Sequence, residues 1–413
     1  MLRDPLPAHL RIRDTAIISI GERLARAGAS PTRSGPEGSS RNETHLGRVQ
    51  PLTYSWGFAD GNKIASLAPT VTESQAQTSP HDTTGWSDFF ADQLENEDVS
   101  FAPMRIATVH RSRLTANYGD QTIRLNLPIH AKTTDFAVGD WVLADPQTHI
   151  LHRRLAPKTL LERRVEGAHA PQLIAANVDT LFIVTSCNAD FNPARLERYL
   201  ALVNEAGIDP VIVLTKADTV ADAADYISQA EALQRGLIAV SLNAKSPEAA
   251  AALAPWCKPG QTVALIGSSG VGKSTLLNTL VGPDQDTPQA TGGIRETDAK
   301  GRHTTTSRSL HAIPGGAWVI DTPGMRSLHV SDVASGIGNL FAEITELAPQ
   351  CRFRDCTHAH EPGCAVQAAI KAGTLDANRL DRWRKLLDEN RSNTPVQTGA
   401  RGNKSVSTWA KKR

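Results

Sequence analysis

Gly267-Ser268-Ser269-Gly270-Val271-Gly272-Lys273-Ser274-Thr275 decides the fold of this chain. It fits G-x-x-x-x-G-K-S between an apolar run, Val263 to Ile266, and the helix-forming Leu276-Leu277-Asn278. A strand that turns through glycines into a helix presents backbone N–H groups to phosphate oxygens at the helix N-terminus. In such a loop Lys273 reaches the terminal phosphates and Ser274 ligates Mg²⁺. A second motif, Asp321-Thr322-Pro323-Gly324, ends the apolar run Ala317 to Ile320. Asp321 suits a water-mediated hold on Mg²⁺, and Gly324 offers an unobstructed N–H to a γ-phosphate. A third, Thr215-Lys216-Ala217-Asp218, closes the run Val211 to Leu214. The Asp218 carboxylate can accept both the N1–H and the exocyclic amine of guanine, a pair that adenine does not present, and the Lys216 stem can cover the base. Each short motif alone also fits an ordinary turn; strand context and spacing carry the reading. Their order is shifted: the base-reading motif comes first and the metal motif last, so the chain after Gly324 leaves the nucleotide domain.

The surrounding pattern is that of a parallel α/β sheet. Asp179 to Val184 and Asp209 to Leu214 read as buried strands, with a helical stripe of Leu196, Tyr199, Leu200 and Val203 between them. Strand, helix, strand implies parallel pairing, and ligands in such sheets bind where these motifs fall, at the carboxyl ends of the strands. Ser241-Leu242 could place an N–H on the guanine carbonyl, with Asn243-Ala244-Lys245 competing for that register.

A chain of 413 residues suggests roughly three domains, and 40% hydrophobic residues can supply their cores. The net charge of +1 excludes a globally basic binder, so nucleic-acid contacts would have to come from local patches. No apolar run approaches the roughly 20 residues of a membrane span, and the N-terminus lacks the long apolar stretch of a secretory signal, which sets the cytoplasm as the expected compartment. Residues 1–80 lack a sustained period and read as a flexible extension. Trp86, Phe89, Phe90 and Leu94 then fall at helical spacing as packing residues. Between Pro103 and Leu155, short alternating runs (Arg105 to Val109, Thr122 to Leu127, Asp140 to Ala144) predict a small β-barrel. An OB-type barrel would offer an oligonucleotide face, and Arg111, Arg113, Arg153, Arg154, Lys158, Arg163 and Arg164 lie in or just after it; as solvated charges they would have no such role.

Past the metal motif come a stripe of Leu340, Ile344 and Leu347, a Cys/His cluster, and a helix with Leu380, Trp383 and Leu387 on one side and Arg379, Arg382, Arg384 and Lys385 on the rest. Cys351, Cys356, His358 and Cys364 supply three thiolates and an imidazole within fourteen residues, enough to close a tetrahedral shell around one structural zinc; spacing leaves His360 as a rival to His358. The tail from Arg391 carries Lys and Arg without Asp or Glu, as a solvated arm or an electrostatic anchor for RNA would.

These residues together resemble the RsgA (YjeQ) family of circularly permuted bacterial GTPases. The resemblance covers roughly residues 86–390. It rests on Val138-Gly-Asp-Trp-Val142, Ala176-Asn-Val-Asp179, the phosphate loop, Gly301-Arg-His-Thr-Thr-Thr306, Asp321-Thr-Pro-Gly-Met-Arg326 and Cys351-Arg-Phe-Arg-Asp-Cys-Thr-His358. It implies an OB-type RNA-binding barrel with a short leading helix (81–165), a circularly permuted P-loop GTPase domain (166–330) and a helical zinc-binding domain (331–390); residues 1–80, read as a flexible extension, exceed what the family pattern explains, and 391–413 read as a basic tail. It further implies hydrolysis of GTP to GDP stimulated by the 30S ribosomal subunit, late small-subunit maturation through 16S rRNA contacts, action as a monomer without a membrane, and Zn²⁺ plus Mg²⁺ as cofactors.

Carried over by residue, the resemblance places zinc on Cys351, Cys356, His358 and Cys364. It gives His303 a part in hydrolysis beside Lys273 and Asp321. One of Thr304, Thr305 and Thr306 becomes the switch threonine on Mg²⁺, Thr305 being the central choice. Thr215 and the length of residues 1–80 depart from the family pattern, and Met325 departs from that of many small GTPases. Thr215 replaces the asparagine of N-K-x-D and loses a bracing carboxamide, and Met325 stands where many GTPases orient water with glutamine. A thioether cannot orient water, so slow turnover awaiting a partner is expected. An ATP-dependent P-loop enzyme and a non-catalytic RNA-binding factor are the alternatives; Asp218 argues against the first, and intact Lys273, Ser274 and Asp321 against the second.

Overall fold

The computed structural model describes residues 85–164, 170–282, 308–322 and 330–394, with two-residue strands β14 (Gln397–Thr398) and β15 (Lys404–Ser405) beyond them. The chain divides into Met1–Ala76 and Gln77–Arg413, and all described residues belong to the second unit. The extension over residues 1–80 therefore lies outside the described residues.

Strands β1 (Ala102–Val109), β2 (Leu114–Tyr118), β3 (Gln121–Leu125), β4 (Trp141–Ala144) and β5 (Leu151–Arg154) form a barrel. β1 pairs antiparallel with β2 and β4, β3 with β2, and β5 with β4; a parallel bridge between Asn126 and Ile150 joins the last two edges. Met104, Ile106, Leu114, Ala116, Val142 and Leu151 fill it. Ahead of the barrel, α1 (Asp88–Ala91) is a single turn. Phe90 is buried against Trp141, Leu143 and Leu155, but Phe89 and Leu94 are exposed, so the expected four-residue packing stripe is corrected: the helix stops before its apolar face can repeat.

After the barrel, β6 (Leu160–Arg163) and β7 (Gln172–Ala176) form a hairpin across the point where the sequence pattern changes. The nucleotide sheet follows, in the order β10 (Ile238–Ser241), β9 (Asp209–Thr215), β8 (Thr180–Ser186), β11 (Thr262–Gly267), β13 (Ala317–Asp321), all parallel, with β12 (Arg308–Ile313) antiparallel at the end. Thr108↔Ser309 and Val109↔Arg308 pairing then joins β12 to β1, so the barrel continues the same sheet.

The two faces of the nucleotide sheet have separate cores. On one lie α4 (Glu248–Leu253) and α5 (Lys273–Val281), packed through Ala249, Leu253, Leu276 and Leu277. On the other lie α2 (Pro193–Glu205) and α3 (Ala224–Glu231). Asn192 caps α2 by accepting from Arg195 N, and Pro193 sits in its first turn, where a missing N–H does no harm. Its stripe of Leu196, Tyr199, Leu200 and Val203 is buried, as the spacing predicts. The same core continues into α6 (Ala334–Leu340), α7 (Ala342–Leu347), α8 (Ala365–Lys371) and α9 (Ala377–Asn393), through Ile337, Phe341, Val366, Leu380 and Leu386. The predicted stripe Leu340-Ile344-Leu347 is real but kinked between α6 and α7 at Phe341. No described helix is long and apolar enough to cross a membrane.

Candidate nucleotide site and metal cluster

β11 delivers the chain into the phosphate loop, and the first loop residue has to be glycine. Gly267 has φ +152°, and a Cβ there would sit 2.2 Å from Val184 O on β8. Gly270 and Gly272 also take positive φ, after which α5 begins at Lys273. Val271 is buried, while Ser268, Ser274 and Thr275 are half-buried and Ser269 is exposed at the rim.

Lys273 is buried and its Nζ donates to Gly267 O (3.0 Å) and Ser268 O (2.7 Å), folding the loop around the ammonium group. Burial lowers its pKa to about 8, with Asp321 pulling the other way. A cation held at a desolvation penalty gains from an incoming phosphate, which restores the counter-charge that water no longer supplies. Asp321, at the end of β13, is buried and pairs in register with Leu265, one strand from the loop. Its neighbour Thr322 donates to Leu265 O at 2.5 Å and fixes the strand end.

β9 brings the guanine motif to the same edge. Thr215 is fully buried; its hydroxyl donates to Val271 O in the phosphate loop at 2.5 Å and lies 3.1 Å from Thr185 O. The bracing that the missing carboxamide put in question is thus made by a hydroxyl. Lys216 takes the left-handed conformation (φ +56°), held by Thr219 N and Oγ1 donating to its carbonyl. That turn leaves Ala217 half-buried and Asp218 exposed at the mouth. Leu242 N donates to Leu214 O, so Ser241-Leu242 continues the sheet and its N–H is engaged; the turn beyond it is Asn243 to Lys245, with Ala244 O accepting from Thr279 of α5. Of the two registers, the one through Leu242 has its N–H taken by Leu214 O. On α2, burial raises the Tyr199 phenol above its ordinary pKa. His303, Thr304, Thr305, Thr306, Gly324 and Met325 lie outside the described residues.

In the C-terminal module Cys351, Cys356, His358 and Cys364 bring their ligand atoms within 4.8 Å of one another, a cluster that could hold a metal ion. His358 Nδ1 is 3.5 Å from both Cys351 Sγ and Cys364 Sγ. His360 is exposed and not part of the cluster. Burial lowers the pKa of His358 and favours the neutral ring that a metal needs. Burial raises the Cys351 thiol, yet backbone N–H groups of Ala365 and Val366 with the neighbouring cysteines bring it below its ordinary value; burial and those same neighbours push Cys356 up to about 12. Crowded thiolates repel, and a divalent cation at their centre relieves that repulsion, so the donor set fits the ion. Gln367 and Arg384 both donate to His358 O and hold the ligand loop against α8 and α9.

The expected basic surface is redistributed. Arg153 pairs with Asp98, Arg154 with Asp140 and Arg164 with Asp332, whereas Arg111 and Arg113 are exposed. On α9, Arg379 is not on the solvent side: 7% exposed, it bonds Glu343, Glu197 and the carbonyls of Leu233 and Leu340, with its guanidinium 4.1 Å from the Phe341 ring centre.

A phosphate loop, a guanine motif ahead of it in sequence and an acidic strand end behind it, all at one edge of a parallel sheet, define a circularly permuted P-loop GTPase. Solved structures of that class share the fold. YjeQ from Thermotoga maritima is 24% identical with a TM-score of 0.53, covering 70% of this chain and 98% of that one. YloQ, a circularly permuted GTPase, is 23% identical with a TM-score of 0.50, covering 74% and 100%. The RsgA GTPase family model matches residues 154–331. The Small ribosomal subunit biogenesis GTPase RsgA of Mesorhizobium japonicum is 68% identical, covering 80% of this chain and 95% of that protein; RsgA 2 of Vibrio vulnificus is 52% identical, covering 74% and 86%. The chain belongs to the RsgA GTPase family and is a GTP-hydrolysing enzyme.

Proposed function

We propose that this protein binds the 30S ribosomal subunit through 16S rRNA and assists late small-subunit maturation. It hydrolyses GTP to GDP and phosphate under ribosome stimulation, then dissociates, acting as a cytoplasmic monomer. The observation that carries this reading is the 68% identity with a protein named for small-subunit biogenesis, over 95% of that protein's length. In this reading Gly267 to Thr275 and Gly324 bind the phosphates, and Thr215 to Asp218 read guanine. Ser274, Asp321 and Thr305 serve Mg²⁺, which supplies neutralisation of phosphate charge when bound. Lys273 draws the γ-phosphate charge, and His303 assists hydrolysis. Cys351, Cys356, His358 and Cys364 hold one structural zinc, which ties the loop before α8 to its N-terminus. The barrel is of OB type and contacts RNA, with exposed Arg111 and Arg113 as the contacts its ion-paired neighbours leave. Residues 1–80 form an extension and 391–413 a basic tail.

Co-sedimentation with purified 30S subunits tests the cycle. A non-hydrolysable GTP analogue should hold the protein on the subunit and GDP should release it; equal binding of the two forms contradicts the proposal.

A further inference from the structure

The turn Asn243 to Ser246 follows β10, beside the strand that ends in the guanine motif. Leu242 O accepts from Ala217 N of that motif (3.4 Å), and Leu242 N donates to Leu214 O. The shape of the turn is set from within: Asn243 Oδ1 accepts from Lys245 N and Asn243 O from Ser246 N, both at 3.0 Å. Its placement is set from outside, by Thr279 on α5, whose hydroxyl donates to Ala244 O at 2.7 Å. A threonine inside a helix ordinarily bonds the carbonyl four residues back, and Thr275 O lies at 3.1 Å, yet the shorter contact leaves the helix. Among the described residues the Ala244 N–H donates to nothing, although Ala244 is only 6% exposed. An open N–H on a buried residue calls for an acceptor.

We infer that Thr279 is a positioning residue for base recognition: by holding Ala244 O it sets the open Ala244 N–H against the C6 carbonyl of guanine, so that the helix gripping the phosphates also places one wall of the base site. Lys273 and Thr279 stand six residues apart on α5, about 9 Å along one helix, which carries the placement from the phosphate end to the base end. Adenine puts an amino group where guanine has this oxygen, and a donor facing a donor adds a penalty to the one that Asp218 imposes. The inference rests on the guanine reading of Thr215 to Asp218 and deepens it by assigning part of that reading to a residue outside all three motifs.

Competition of GDP, IDP and 6-thio-GDP against fluorescent GDP on the full-length protein tests this. IDP lacks only the exocyclic amine that Asp218 reads, and 6-thio-GDP changes only the C6 oxygen, to a larger and weaker acceptor. Thr279→Val keeps the side-chain shape and removes the hydroxyl. It should weaken GDP and IDP alike, about five-fold, leaving their ratio as in wild type, and narrow the preference for GDP over 6-thio-GDP by about three-fold or more. Thr279→Ala, a better helix former that also lacks the hydroxyl, should narrow it equally, so the result does not hang on the fold of one variant. Thr279→Ser should restore both affinities to within about two-fold of wild type. A merely structural role would lower all three affinities together. Uniform loss, an unchanged preference in the valine and alanine proteins, or a wild type indifferent to the C6 atom overturns the proposal. A wild type that binds ADP as tightly as GDP overturns the guanine reading itself, so titration of the unmutated protein separates the two failures.

Discussion

Replacing Thr215 with valine isolates one buried hydroxyl that links base reading to phosphate binding. The side chain is fully buried, valine has nearly its shape, and what is lost is one hydroxyl, which donates to Val271 O at 2.5 Å and lies 3.1 Å from Thr185 O. Removing it forfeits one hydrogen bond and leaves a buried carbonyl of the phosphate loop unsatisfied, together about 1–3 kcal/mol. If nucleotide binding draws on that braced loop, the same range sets the affinity loss at about 5- to 150-fold. Thr215→Ser retains the hydroxyl and should keep affinity within a few-fold, losing only methyl packing. Titration with fluorescent GDP, paired with equilibrium unfolding, gives both numbers. Should the valine protein bind as tightly as wild type at unchanged stability, or the serine protein bind as poorly as valine, the brace is not what holds the loop.

Three further outcomes follow from other parts of the molecule. Metal analysis should return about one zinc per chain, and its removal by chelation or Cys351→Ser should lower the melting midpoint by more than about 10 °C, with hydrogen exchange rising first in α8 and α9; an unchanged midpoint contradicts a structural metal. Gly336→Ala should destabilise the protein by about 1–3 kcal/mol in denaturant unfolding, because its Cβ has no room beside Ala201 O. Asp140 is raised from 3.8 to about 6 by burial, against the pull of Arg154 and of Ala137 N–H. The folded protein therefore holds that proton more tightly than the unfolded chain. Its stabilising contribution, at most about 3 kcal/mol, is complete below pH 4 and is lost as pH rises through about 6. The stability of wild type relative to Asp140→Asn should decline across that window, and a flat difference counts against it.

The sheet was legible because its strands, buried on both faces, read as unbroken apolar runs ending in motifs: Val263 to Ile266 into Gly267, Val211 to Leu214 into Thr215. β2 and β5 were not, since Leu114–Tyr118 and Leu151–Arg154 are short and half polar, and their strand character comes from pairing with β1 and β4. β12 escaped notice for the same reason: Arg308–Ile313 is half polar, and its strand character comes from pairing with β13 on one side and β1 on the other. Composition gives each charge a sign but not a partner, so Arg379 looked like surface until Glu197 and Glu343, more than thirty residues away in sequence, were brought to it. Likewise spacing could not separate His358 from His360, whereas the left-handed turn at His358 (φ +58°) puts it among the thiols.

Turnover of GTP by the purified protein, measured with and without 30S subunits, tests the central claim most directly. Slow hydrolysis alone and a rate raised at least tenfold by the subunit is the predicted result; the same rate in both conditions would contradict a ribosome-stimulated GTPase.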